Sequence, residues 1–337
     1  MWRGGIIGLG PNGKAHLQVL LTFPEVKIEA VSDIKREVTE EIEKNFGIRG
    51  FSDYRSLLKL NLDFIYICTP NDLHQEMVIE TARSGVKAIF CEKPIALTLE
   101  DADEVISEVK KTKTKVLVNY SFPFTPEIKK ITEIFKQGDL GELVFCWSRR
   151  FKGANFFMQK STGPWMKKSA SWGGWLIHHT THDLEWMSRI GGRVKELYGK
   201  TFTTNPDPLA IESTWAIITF EKVGIGIVGD TLDGMADQSM GIQGRKGCII
   251  LDKENKVRIR SEGMERFEEL ELVIKGERNK YLLSARHFLR IMEKGIKPVV
   301  GLEEAKEALR LALAIRSSAR EKRIIRLNEF SAEGKQG

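Results

Sequence analysis

Short apolar runs separated by helical stretches fill the first 120 residues. Ile6–Ile7–Gly8 closes a first strand, residues 13–22 read as a helix, and Ile28–Ser32 is a second strand. A charged helix over 36–45 precedes a strand at Phe64–Cys68, and a helix over 72–84 has Asn71 or Asp72 as its cap and Gly85 as its stop. Val86–Phe90 is the next strand, followed by a helix over 98–111 and a strand at Val116–Val118. Runs apolar on both faces and joined through helices predict a parallel sheet covered on both sides.

The pattern changes after Tyr120. A helix over 126–137 stops at Gly138, and then segments 142–151, 194–203, 213–221, 224–231, 248–251, 256–260 and 269–274 alternate with a period of two. Such alternation predicts an open, mainly antiparallel sheet with one solvated face. Helices follow over 279–294 and 302–320. The expected architecture is a parallel α/β domain over 1–120, then an α+β domain over 121–337, with the helix at about 302–320 packing back on the first.

Composition narrows the class. At ~150 residues per domain, 337 residues suit two domains. Hydrophobic residues at 42% and charged residues at 29% make a globular mixture. Apolar runs fall short of the ~18 residues a membrane helix needs. The start, MWRGGIIGLG, lacks a signal-peptide core and a cleavage site, so a cytoplasmic protein without membrane partners is expected. Cys68, Cys91, Cys146 and Cys248 lie far apart with no CxxC pair, which argues against a disulfide framework or a cysteine zinc site. The net charge of +6 comes from lysines and arginines scattered among acids, a solvated mixed-charge surface and not a nucleic-acid stripe.

One loop carries specific chemistry. Gly8-Leu9-Gly10-Pro11-Asn12-Gly13 follows the first strand and opens a helix, the context in which GxGxxG binds a dinucleotide. Its glycines permit a tight turn and a close approach to a pyrophosphate, which sits on the amide groups of the helix N-terminus. Asp33, 20 residues past Gly13, ends the second strand, where a carboxylate can accept hydrogen bonds from a ribose. Its charge would repel a 2′-phosphate, which favours NAD, while Lys35 and Arg36 leave NADP open.

Two further loops follow parallel strands and so face the same crevice. They are Cys68-Thr69-Pro70-Asn71-Asp72-Leu73-His74 and Glu92-Lys93-Pro94. With the glycine loop, these segments resemble the Gfo/Idh/MocA oxidoreductase family. The resemblance continues through Gly138–Glu142, Trp165, the run from Gly173-Gly174-Trp175-Leu176 to His182, Gly244–Gly247 and the last helix with Ser317–Ser318. It implies a nicotinamide-binding Rossmann domain followed by a domain for substrate binding and oligomerisation. It also implies hydride transfer between NAD and a secondary alcohol or ketone of a sugar, inositol or sugar derivative, in a homodimer or homotetramer.

By the same resemblance, Lys93 and His182 exchange the substrate proton. The cofactor would be held by Gly8, Leu9, Gly10, Pro11, Asn12, Gly13, Asp33, Thr69, Pro70, Asn71, His74, Glu92 and Lys93. Trp165, His178, His179 and His182 would join Lys93 at the substrate. The commonest family pattern has an aspartate four residues before the histidine, whereas this chain has His178, which could share the proton work. Asp183, next to His182, would point elsewhere on a helix.

On a helix, His178 and His182 also share one face at a spacing that can bind zinc. The residue after the first histidine is His179 and not glutamate, and no third ligand is evident, so no metal is assigned. Two other functions stay open at this level: a regulatory, non-catalytic NAD-binding protein and a redox-neutral NAD-dependent glycosidase. The presence of both Lys93 and His182 argues against the regulatory reading, while the glycosidase would use similar residues.

Overall fold

The computed structural model describes residues 1–153, 172–203, 213–232, 235–271 and 278–331. Two compact units emerge: Met1–Tyr120 with Asn279–Lys306, and Ser121–Arg278 with Glu307–Gly337.

The first unit is built on six parallel strands: β1 (Trp2–Ile7), β2 (Val26–Ser32), β3 (Arg49–Phe51), β4 (Phe64–Ile67), β5 (Ala88–Glu92) and β6 (Lys115–Asn119). Their order is β3-β2-β1-β4-β5-β6, so the chain changes direction across the sheet between β1 and β4. Loops leaving those two strands therefore meet at the switch point where open α/β sheets bind ligands. All of β4 and β5 is buried. Tyr66 and Phe90 stack at 4.1 Å, and Phe288 of the helix Lys280–Lys294 meets both rings and Phe64 edge-on. Each such ring removes about 150–250 Å² from water, which is what ties the returning segment to this sheet.

Local chemistry moved several boundaries. The first helix begins at Pro11, whose fixed φ suits the first helical position, two residues before the expected start. Asn71–Leu73 forms a single 3₁₀ turn ahead of the helix His74–Arg83, so the N-cap position falls on Leu73 and not on Asn71 or Asp72.

Among the described residues, the second unit carries a nine-stranded sheet, in the order β14-β13-β12-β11-β7-β10-β9-β8-β15. The strands are β7 (Leu143–Phe151), β8 (Val194–Phe202), β9 (Ser213–Phe220), β10 (Ile225–Thr231), β11 (Asp237–Gly244), β12 (Gly247–Leu251), β13 (Val257–Ser261), β14 (Glu268–Glu269) and β15 (Ile325–Arg326). Among the described residues, only β7 and β10 of this sheet pair in parallel. This is the Rossmann-plus-open-sheet architecture the sequence predicts.

Strand β11 is the element the hydrophobic pattern hides. Asp237-Gln238-Ser239 and two glycines have low strand propensity. Yet a Cβ on Gly241 would lie 2.2 Å from the ring of Trp147 on β7, so the glycine makes room for the indole across the strand pair. Helices Pro126–Gln137 and Thr181–Gly191 cover the inner face, where Trp186 Nε1 donates to Thr132 Oγ1 at 3.1 Å. On the other face, Tyr198, Ile217 and Ile227 are aligned across β8, β9 and β10 and are 43%, 52% and 39% exposed.

Candidate active site

In the first unit, the glycine loop separates three demands. Gly8 has φ +87°, and a Cβ there would lie 2.7 Å from the Cys68 carbonyl oxygen. A Cβ on Gly13 would lie 1.9 Å from the Gly8 carbonyl oxygen, so this glycine lets the helix approach the strand. Gly10, at the N-cap of the helix Pro11–Leu20, would meet nothing within 4 Å. The open side of the loop is thus at the helix N-terminus, where the first amide groups lack intrahelical partners. That arrangement fits a pyrophosphate.

Asp33 closes the loop from β2. Its Oδ2 accepts from the Leu9 amide at 2.8 Å and its Oδ1 from the Lys35 amide at 3.0 Å. Leu9 itself is buried, so it offers backbone only. Asn12 accepts from the Tyr281 hydroxyl at 3.0 Å, and burial raises that hydroxyl above its ordinary pKa. Tyr281 is distant in sequence and carried no motif that would single it out.

The loops after β4 and β5 are fastened together from beneath. His74 is fully buried, with Nδ1 2.6 Å from the Pro94 carbonyl and Nε2 3.0 Å from that of Thr69. It ties two loops and presents no surface to a ligand; burial lowers its pKa. Thr69 Oγ1 lies 3.4 Å from Met77 Sδ, Pro70 is half-buried, and Asn71 is buried. Glu92 is buried too, its Oε1 accepting from Asn119 Nδ2 at 2.9 Å and facing His16 Nε2 at 3.1 Å. Burial alone would raise its carboxyl; the bonds from His16 and Asn119 outweigh that and hold it low. Lys93 follows, half-buried, and its bond to Pro94 is cis.

The second unit holds the histidine segment. Leu176–Thr180 is a π-helical turn that runs into the helix Thr181–Gly191. A π turn is wider than an α turn, and the two histidine rings have different aromatic neighbours. The His178 ring lies 5.8 Å from Trp172, while His182 stacks on Phe122 at 5.4 Å. The ligand-type atoms that cluster, within 4.8 Å of one another, belong instead to His179, Asp183 and Asp230. A guanidinium already supplies the positive charge among them: Arg150 Nη2 donates to Asp183 Oδ2 at 2.8 Å. Burial raises both carboxyls, and Arg150 opposes that rise. Arg150 and Asp230 escaped notice because each sits in an alternating strand, though a charge on the inward phase was the available signal. Trp165 lies outside the described residues.

Residues 2–120 match the profile of an oxidoreductase family with an NAD-binding Rossmann fold, and residues 133–327 match that family's C-terminal α/β domain. The chain is 26% identical to a myo-inositol 2-dehydrogenase of Thermotoga maritima across 97% of this chain and 99% of that one. It is 25% identical to a scyllo-inositol 2-dehydrogenase (NAD(+)) of Bacillus subtilis across 94% of each. A levoglucosan dehydrogenase solved in complex with NADH shares the fold, with a TM-score of 0.87 at 19% identity over 97% of this chain and 99% of that one. With both of its halves matched, the chain belongs to the Gfo/Idh/MocA oxidoreductase family.

Proposed function

We propose that the protein is an NAD-dependent dehydrogenase acting on a secondary alcohol of a sugar, an inositol or a sugar derivative. The observation that carries this is the glycine loop: one open position at Gly10, two crowded ones at Gly8 and Gly13, and Asp33 beside them. The near full-length likeness to two inositol dehydrogenases supports the substrate class.

NAD, when bound, supplies the hydride acceptor. Asp33 favours NAD over NADP, since a carboxylate repels a 2′-phosphate, and Arg36 is engaged by Glu40 at 2.7 Å. Lys93 takes the hydroxyl proton in oxidation and returns it in reduction, and His182 passes that proton on. Glu92, pinned by His16 and Asn119, holds the end of β5 from which Lys93 extends. Positioned acid–base groups contribute ~10²–10⁴ in rate.

The apolar outer face across β8, β9 and β10 pairs with a second copy of the chain, which hides Ile217 and Ile227 from water. The test of the reaction is NADH formation from a panel of inositols and sugars. Net NADH supports a dehydrogenase, whereas product without net NADH would mean redox-neutral chemistry.

A further inference from the structure

Lys93 follows directly on a buried carboxylate whose partners come from two other elements. Glu92 ends β5 in register with Asn119 on β6, whose Nδ2 donates to Glu92 Oε1 at 2.9 Å. His16 faces the same oxygen from the helix Pro11–Leu20, with Nε2 at 3.1 Å. A carboxylate oxygen only accepts, so an ionised Glu92 takes this contact from an N–H. The helix that carries His16 opens at Gly10, so one element bears both the open side of the glycine loop and the ring that meets Glu92.

Packing holds that ring. His16 is fully buried, edge-on to Phe90 at 4.7 Å and to Tyr281 at 4.9 Å, and 5.3 Å from Tyr66. In such surroundings a carboxylate keeps its charge only with donors or a cation beside it. Burial would raise the Glu92 carboxyl, but His16, Asn119 and the charge of Lys93 outweigh that and hold it below its ordinary value. The attraction is mutual: the carboxylate that Lys93 helps to keep ionised also favours the ammonium form of Lys93. We propose that His16 is a positioning residue for Lys93: it holds Glu92 as a fixed counter-charge at the base of the Glu-Lys-Pro turn and so sets the pH at which Lys93 releases its proton.

The other titratable groups facing Glu92 are Cys91 on β5, Cys68 and His74 from the segment after β4, and Tyr281 from the helix Lys280–Lys294. Burial raises the two thiols and the Tyr281 hydroxyl and lowers His74, so these four stay uncharged through neutral pH, where Glu92 carries its negative charge. The consequence for turnover rests on the dehydrogenase reading, in which Lys93 takes the hydroxyl proton; the counter-charge does not.

The test follows Lys93 itself. The full chain is reductively methylated with ¹³C-formaldehyde, the Lys93 signal is assigned by its loss in Lys93→Met, and its shift is followed by NMR from about pH 7 to 11, around the ordinary lysine value. In Glu92→Gln the titration should move to lower pH by about half a unit or more, because a neutral amide no longer favours the ammonium. His16→Phe fills the aromatic surroundings without a donor and should move it the same way by a smaller step. His16→Gln keeps a donor and should keep the wild-type titration. Adding His16→Phe to Glu92→Gln should move it no further, since His16 acts through Glu92.

A Lys93 titration that stays in place in Glu92→Gln or in a folded His16→Phe would overturn the proposal, and so would two shifts that add. Should His16→Phe not fold, equal shifts in His16→Gln and Glu92→Gln would overturn it. With a substrate from the inositol and sugar panel, the acid limb of kcat/KM for oxidation should move with the NMR titration, because a base acts unprotonated. A limb that stays while the NMR titration moves would count against Lys93 as the base and leave the counter-charge standing. Absence of turnover in the wild type would count against the dehydrogenase reading and leave the NMR titration to decide.

Discussion

Gly10 and Gly13 stand in one motif and answer to different forces. Gly13→Ala puts a Cβ 1.9 Å from a backbone oxygen, so the helix must shift, at a cost of about 1–3 kcal/mol in unfolding experiments. Gly10→Ala meets open space and should leave the melting temperature unchanged. Its methyl group would instead stand on the open side of the loop that fits a pyrophosphate, and calorimetry should find NADH binding weakened by about tenfold or more, some 1.4 kcal/mol. Lys93→Met should lower turnover by ~10²–10⁴ while NADH still binds. The loop, Asp33 and the Glu-Lys-Pro turn were legible in the sequence because their demands are local: a turn, a helix start, a strand end. The Arg150–Asp230 pair was not, because strand register alone brings those residues together.

Among the elements, the strands and helices whose period matches their burial could be read directly, and the exceptions have physical causes. Strand β11 is held by its neighbours and by a glycine that admits Trp147, with little propensity of its own. The helix Lys280–Lys294 was legible as a helix, but its membership in the first unit depends on Phe288 meeting Phe64, Tyr66 and Phe90, which no local pattern announces. Phe288→Ala should therefore cost about 3–5 kcal/mol in denaturant unfolding. A smaller loss would mean that this contact does not anchor the helix.

Strand β5 adds a pH dependence. The Glu92 carboxyl is held below its ordinary value of 4.5 in the folded chain, so its contribution is complete above that value and is lost as the pH falls through the lower folded one. Glu92→Gln should flatten the acid limb of stability against pH, which thermal melts between pH 3 and 6 would reveal.

At the scale of the whole molecule, no helix among the described residues is long and apolar enough to cross a membrane, and the outer sheet face exposes Tyr198, Ile217 and Ile227. Its aligned Tyr198, Ile217 and Ile227 account for the proposed pairing of two copies, and Ile217→Lys should shift sedimentation toward the monomer without loss of NADH binding. In the proposed function, the chain uses NAD to oxidise a polyol through Lys93. That reading is tested most directly by following NADH formation with myo-inositol, scyllo-inositol and levoglucosan, wild type beside Lys93→Met. NADH is expected from at least one of these with the wild type, with a loss of ~10²–10⁴ in a variant that still binds NADH. A wild type that binds NADH yet forms none, or a variant that turns over at the wild-type rate, would contradict it.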